Sequence, residues 1–509
     1  MYSTVKTSIL EGIGTRQIQV EVDISNGMPV FDMVGHLAPE VREGKERIRT
    51  ALHSIGVILP AKRITINLSP AHIRKNGTGF DLPIAIAIMQ SLGLVTKEAC
   101  EGKLFIGELK LNGKLQAVNG ILPVVSDGVL NGITEFIVPK ENENEARLVK
   151  QAHIYSFESL KEVLDFLNGK EYVDVPLNIE ETVTQIDKDF SDICGQKFIK
   201  RACEVAAAGM HNMLLVGPPG AGKTMISERL STILPPLTEA ERLELSKIYS
   251  VCGLLNNTNA LITERPFRAP HHTITQCGLT GGGAMPKPGE ISLAHNGVLF
   301  LDELPEFQKS TLEILRQPME EHVIHLTRTK GNITYPANFL LFAAMNPCNC
   351  GYYPDMNKCR CSNGGLRRYF ERISQPLLDR MDICVEAPAL TYEELTGKAS
   401  KGETSKEIQK RVMECHQMQC ERFKGESFSH NSAIPASRLD EFCNLASKEQ
   451  RYMETIYEKI NLTARTYHKI LRVARTIADL EQEKEIRVAH LNEAICYRTV
   501  DEKFWGGIG

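Results

Sequence analysis

The 509-residue chain reads as an α/β protein with a parallel-sheet core in its middle, a compact α/β unit ahead of it and an all-α unit behind it. Three observations predict this. Residues 213–216 (Met-Leu-Leu-Val) are a short apolar run that gives way to a glycine-rich turn and then to a helical pattern over 225–230, a strand–loop–helix order. Residues 297–304, GVLFLDEL, are apolar, too short for most helices and closed by two acids. That is the pattern of a buried parallel strand presenting carboxylates at its C-terminal edge. Over 391–501 the periodicity is helical, clearest at 462–480 and 487–497.

Taken in order, residues 1–170 alternate β-rich runs (18–24, 63–67, 133–138) with helical ones (41–55, 82–92, 142–151), which predicts a compact α/β domain. Residues 171–190 are acidic and irregular, as a linker is. A helix opening after Ser191-Asp192-Ile193-Cys194-Gly195-Gln196 begins the core, which runs over 191–388, and 389–509 form a helical lid. No internal repeat or low-complexity tract interrupts this plan.

Composition narrows the function classes. A formal charge of −4 and a pI near 6.4 give no overall basic signature, so any nucleic acid must meet a local patch. The first residues lack the basic-then-apolar order of a signal peptide, and no apolar stretch approaches the roughly 20 residues a bilayer requires. A cytoplasmic protein without a membrane partner is expected. Fourteen cysteines in such a chain argue for buried thiols and one metal site rather than a disulfide framework.

The glycine-rich turn is Gly217-Pro218-Pro219-Gly220-Ala221-Gly222-Lys223-Thr224. Backbone N–H groups of such a loop point at an anion, and the helix N-terminus adds to the field. Lys223 is then placed to reach the β/γ-phosphates of ATP and the Thr224 hydroxyl to hold Mg²⁺. In the acidic strand end, Asp302 completes the Mg²⁺ shell and Glu303 polarises the attacking water, because in-line hydrolysis needs a positioned nucleophile and charge neutralisation. A second buried strand, 338–345, ends at Asn346, whose amide can bond the water or the γ-phosphate. Arg380, closing a short apolar segment, can neutralise transition-state charge in a neighbouring subunit; a plain ion pair with Asp382 is the alternative.

The ordered strings GPPGAGKT, PFRAPHHT (266–273), GGGAMPKPGEISLAHNGVLFLDELPEF (281–307), NPCNCGYY (346–353) and ISQPLLDRMDI (373–383) resemble the Mg-chelatase-like AAA+ ATPases of the ComM/YifB family over essentially the whole chain. The resemblance implies an AAA+ P-loop core with a Lon-protease-like (S5-like) N-terminal α/β domain. It also implies a homo-hexameric ring whose ComM-type members migrate branched DNA during natural transformation and recombination. Position by position, it makes Lys223 and Thr224 the Walker A pair, Asp302 and Glu303 Walker B, Asn346 sensor 1 and Arg380 the finger donated in trans. Arg465, in LTARTY (462–467), resembles the sensor 2 arginine of the lid, although Arg472 and Arg475 share its helix. The Lon-type serine would have to sit near Phe80 or Asp81 and its lysine near Leu122. Neither stands there, so Ser-Lys peptide hydrolysis is excluded.

Two further groups complete the reading. Residues 321–335, EHVIHLTRTKGNITY, read as a hairpin carrying His325, Arg328 and Lys330, and the glycine-rich stretch ending at Lys287 reads as a flexible loop. Converging on a ring axis they would track the phosphates of single-stranded or branched DNA; a solvated edge strand is the plainer alternative. No aromatic sits at the hairpin tip, so phosphate tracking is favoured over base reading. Cys348, Cys350, Cys359 and Cys361 form C-x-C-x(8)-C-x-C, enough thiolates for one tetrahedral Zn²⁺. The C-x-C spacing is tighter than the usual C-x-x-C knuckle, which leaves unmetallated thiols as the alternative. A DNA-remodelling motor is the first functional reading, and a chelatase-type motor acting on a protein partner the second.

Overall fold

The computed structural model describes residues 1–174, 188–255, 260–283, 286–328, 331–388 and 402–505. Most of the expected linker and the first residues of the expected lid lie outside this set. No helix among the described residues is long and apolar enough to cross a membrane.

The first unit is a seven-stranded sheet in the order Val30–Val34, Arg63–Ser69, Gly14–Ser25, Tyr2–Glu11, Lys103–Phe105, Glu135–Pro139, His153–Phe157. Helix Asp81–Ser91, buried along almost its whole length, packs on it. Its first strand, Tyr2–Glu11, pairs antiparallel with Gly14–Ser25 from end to end, Tyr2 opposite Asp23. Sequence periodicity does not disclose that strand, because its inward face carries Ser3 and Thr7. Ser3 is accommodated by donating its hydroxyl to the Ala87 carbonyl at 2.6 Å. The helix expected over 142–151 shrinks to a 3₁₀ turn, Lys140–Asn142, and one α-turn, Glu143–Ala146. The Asn142 side chain bonds both N–H and C=O of Val118, at 2.9 and 3.0 Å, and Glu145 accepts the Leu122 N–H at 2.9 Å. Beyond Ala146 the backbone continues only as turns, with the Leu148 N–H donating to the Glu145 carbonyl and the Val149 N–H to the Ala146 carbonyl.

Where a Lon-type nucleophile would stand, Asp81 is buried and held by both Nε and Nη2 of Arg47 at 2.8 and 3.1 Å. Burial pushes its carboxyl up to about 6, with Arg47 opposing. Leu122 is fully buried.

The second unit is a five-stranded parallel sheet in the order Phe267–Arg268, Val298–Leu301, Leu340–Met345, Met213–Val216, Ile383–Glu386. Its three central strands are buried on both faces, which is why they read as continuous apolar runs. In-register pairing (Met213 beside Phe342 and Ile383, Val298 beside Leu340) brings the C-terminal ends of all of them to one edge. Such an edge is where α/β sheets place ligands.

The third unit is helical. Ser405–Arg422 starts at a capping box in which Thr404 accepts the Glu407 N–H and Glu407 accepts the Thr404 N–H. Together with Ala464–Leu480 and Val488–Cys496 it joins the same apolar core as helix Lys197–Gly209 of the second unit. The buried Asp479 ties this unit together, accepting from Arg422 at 2.7 Å, Asn431 at 2.8 Å and Arg475 at 3.1 Å. Replacing Asp479 by Ala takes the carboxylate from two guanidinium groups, Arg422 and Arg475, and urea unfolding is expected to show a loss of about 3 kcal/mol.

The first two units touch directly. Gly120 N–H donates to the Ser250 carbonyl at 3.1 Å, the Ser250 hydroxyl bonds Glu145, and helix Ile121–Leu130 lies beside helix Glu239–Cys252. Gly12, at the turn between the first two strands, sits against Ile333 so closely that a Cβ there would come within 2.8 Å of it.

Candidate active site

Strand Met213–Val216 leaves the sheet edge through Gly217, whose N–H donates to the Met345 carbonyl at 3.1 Å. A Cβ at Gly217 would lie 2.7 Å from the Ala387 carbonyl oxygen, so only glycine passes there. Gly220 and Gly222 take φ of +80° and +75°, the left-handed region that lets the turn fold back into helix Lys223–Leu230. The buried Gln196 supports the turn from behind, donating its amide to the Ala221 carbonyl at 3.0 Å.

The expected side chains gather at this turn. Lys223 Nζ donates to the Gly217 and Pro218 carbonyls at 2.8 and 3.0 Å and to Asn346 Oδ1 at 3.0 Å. Burial draws its pKa below the ordinary lysine value, against the opposing pull of Asp302 and Glu303. Thr224 Oγ1 donates to Asp302 Oδ2 at 3.0 Å, and Asp302 Oδ1 accepts the Glu303 N–H at 2.8 Å. Glu303 itself has φ +51°, a left-handed conformation that costs a non-glycine residue about 1 kcal/mol. His272 Nδ1 stands 3.5 Å from Glu303 Oε2. Asn346 is anchored through its carbonyl, which accepts the Tyr369 hydroxyl at 2.9 Å.

Arg380 and Arg465 lie elsewhere. Arg380 precedes strand Ile383–Glu386, and its carbonyl accepts the side-chain amide of Asn212, the residue before Met213. It therefore sits at the N-terminal edge of the parallel sheet, about 13 Å of strand away from the turn at Gly217. Its guanidinium bonds the Pro376 carbonyl at 2.6 Å and Glu320 at 2.5 Å. Arg465, on the exposed start of helix Ala464–Leu480, pairs with Asp379 at 3.1 Å, beside Arg380.

Family models cover the chain in three pieces: magnesium chelatase subunit ChlI over residues 189–395, subunit ChlI of Mg-chelatase over 20–142 and the ChlI C-terminal region over 402–498. The YifB protein of Salmonella typhimurium is 41% identical over 98% of this chain and 97% of its own length. The competence protein ComM of Haemophilus influenzae is 41% identical over 96% of both chains. Escherichia coli YifB is 40% identical over 98% of this chain and 97% of its own. The chain belongs to the Mg-chelatase-like ComM/YifB family of AAA+ ATPases.

A member of this family uses a nucleotide and Mg²⁺, and the turn fits both. At Gly220 and Gly222 nothing approaches the open Cβ positions within 4 Å, and the Thr224–Asp302 pair offers the hard oxygen donors Mg²⁺ takes. Sequence reasoning missed His272, Gln196 and Glu320. His272 lay in plain sight in the PFRAPHHT string; what hides its place beside Glu303 is that it follows strand Phe267–Arg268, whose pairing beside Val298–Leu301 only the fold supplies.

The remaining candidates of this ComM/YifB chain are the hairpin, the Lys287 segment and the cysteine cluster. Val323–Arg328 and Gly331–Pro336 form the expected hairpin, with His325 Nδ1 3.1 Å from Thr334 Oγ1; Lys330 lies outside the described residues. The exposed Lys287 lies in a short strand, Lys287–Pro288, paired with Gly281–Gly282. The buried Tyr335 donates its hydroxyl to the Pro286 carbonyl at 2.8 Å, tying that loop to the hairpin base. The sulfurs of Cys348, Cys350, Cys359 and Cys361 all lie within 4.8 Å of one another.

Proposed function

We propose that the chain is a ring-forming ATPase that couples ATP hydrolysis to the remodelling of single-stranded or branched DNA, in a ComM-like helicase or branch-migration role. The observation that carries the ring is the split of its candidate residues between two sheet edges. Lys223, Thr224, Asp302, Glu303 and Asn346 share one edge, whereas Arg380 and Arg465 stand at the other. An arginine held about 13 Å from its own phosphate-binding turn serves best on a neighbour's. On this reading the Gly217–Gly222 backbone and Lys223 hold the phosphates, Thr224 and Asp302 hold Mg²⁺, and Glu303 orients the water. Asn346 fixes that water or the γ-phosphate. Arg380 must leave Glu320 to reach the next subunit, so assembly and catalysis become linked.

For DNA, the support is the hairpin with His325 and Arg328, the neighbouring Lys287, and the relative named a competence protein. Arg328→Ala is expected to weaken binding to any single-stranded DNA sequence alike and to make the slope of log affinity against log salt shallower by about 1, the share of one phosphate. Fluorescence anisotropy at stepped salt measures it; an unchanged slope would remove Arg328 from the DNA path. A chelatase-type motor acting on a protein partner is the second reading, favoured by the description of the three family models. ATPase rates with and without branched DNA at low salt decide between the two: no stimulation favours the protein substrate.

A further inference from the structure

We propose that Cys348, Cys350, Cys359 and Cys361 hold one structural zinc ion that braces the loop between Asn346 and the phosphate-binding turn. The sulfur separations are 3.2 Å (Cys348–Cys350), 3.6 Å (Cys350–Cys359) and 3.8 Å (Cys348–Cys359). A tetrahedral site with Zn–S bonds of about 2.3 Å has S···S edges of about 3.8 Å. A disulfide needs about 2.05 Å, and all four cysteines are free thiols. With every ligand atom within 4.8 Å of the others, the space at the centre suits a single ion rather than a multi-iron cluster.

The surroundings match such a site. Cys348 and Cys359 are buried while Cys350 and Cys361 are half-buried, and the Tyr353 N–H donates to Cys348 Sγ at 3.4 Å, the backbone-to-sulfur bond that orients a ligating thiolate. Four converging thiols without an ion gain only weak S–H···S bonds.

Position gives the ion its consequence. Asn346, two residues before Cys348, bonds Lys223, and its carbonyl is fixed by Tyr369. Gly351, inside the first Cys pair's turn at φ +84°, lies so close to the phosphate loop that a Cβ there would come within 2.5 Å of Pro219 Cδ. The metal thus stiffens one wall of the turn that carries Pro219 and Lys223. The assignment of the metal stands apart from the DNA reading; its effect on ATP affinity rests on the placement of nucleotide at that turn.

Elemental analysis of untagged full-length protein purified without chelator is expected to give about one zinc per chain; less than about 0.2, or iron in its place, would overturn the proposal. The Cys350→Ser/Cys361→Ser variant, which spares the buried pair, is expected to lose zinc, to melt about 10 °C lower and to bind ATP roughly tenfold more weakly. Unmoved melting and affinity in a zinc-free variant would overturn the bracing role. If that variant does not fold, wild type stripped of metal and titrated with Co²⁺ answers the same question: the ligand-field bands of tetrahedral cobalt thiolate must saturate at one equivalent, and their absence overturns the site.

Discussion

Glu303→Gln is expected to bind ATP as the parent does and to lower kcat by about 10³-fold, a loss of about 4 kcal/mol in transition-state stabilisation. The substitution is isosteric, so the left-handed turn at residue 303 and its N–H bond to Asp302 are kept. Asp302 stays on Thr224, and Lys223 is untouched, so the groups assigned to phosphate and Mg²⁺ remain in place. Only the negative charge assigned to polarising the water is removed. Equilibrium binding of a fluorescent ATP analogue and phosphate release under single-turnover conditions separate the two effects. Turnover within about threefold of the parent would take the water-positioning role away from Glu303.

The second large effect comes from Arg380. An arginine finger contributes about 10³–10⁵ in rate, so Arg380→Ala should bind ATP and hardly hydrolyse it. Lys223→Ala should fail earlier, at nucleotide binding. Mixed in equal amounts, the two dead chains are expected to recover activity. An interface is competent when an intact Lys223 turn on one chain meets an intact Arg380 on the next, which random mixing provides at about a quarter of the interfaces of a cyclic assembly. Arg465→Ala, whose side chain stands beside Arg380 through Asp379, should complement in the same way. A mixture that assembles yet stays inactive would place these arginines in their own chain's site, which the sheet topology argues against.

Much of this site could be read before any fold was seen, because its parts are defined by short-range order. A glycine turn after an apolar strand, two acids closing another and an asparagine after a third are each local statements, and parallel pairing brings the three strand ends together. The resemblance then fixed their order. Long-range partners are a different matter. His272 reaches Glu303 only because two strands far apart in the chain, Phe267–Arg268 and Val298–Leu301, lie side by side, and Glu320 meets Arg380 across 60 residues. Nothing in the spacing of either pair signals proximity. The strand Tyr2–Glu11 escaped because inward-facing serine and threonine break the apolar alternation, and the periodicity of 142–151 carries no sign that the helix gives way to turns after Ala146.

The close seating of Gly12 on Ile333 makes the leading domain part of the chassis on which the hairpin is mounted. One strand of the hairpin is flanked by the loop carrying Pro286 and by the first turn of the chain, and Ser250 and Glu145 make a further contact between the two units. Any displacement of the hairpin strand that bears Ile333 therefore presses directly on the leading domain at Gly12.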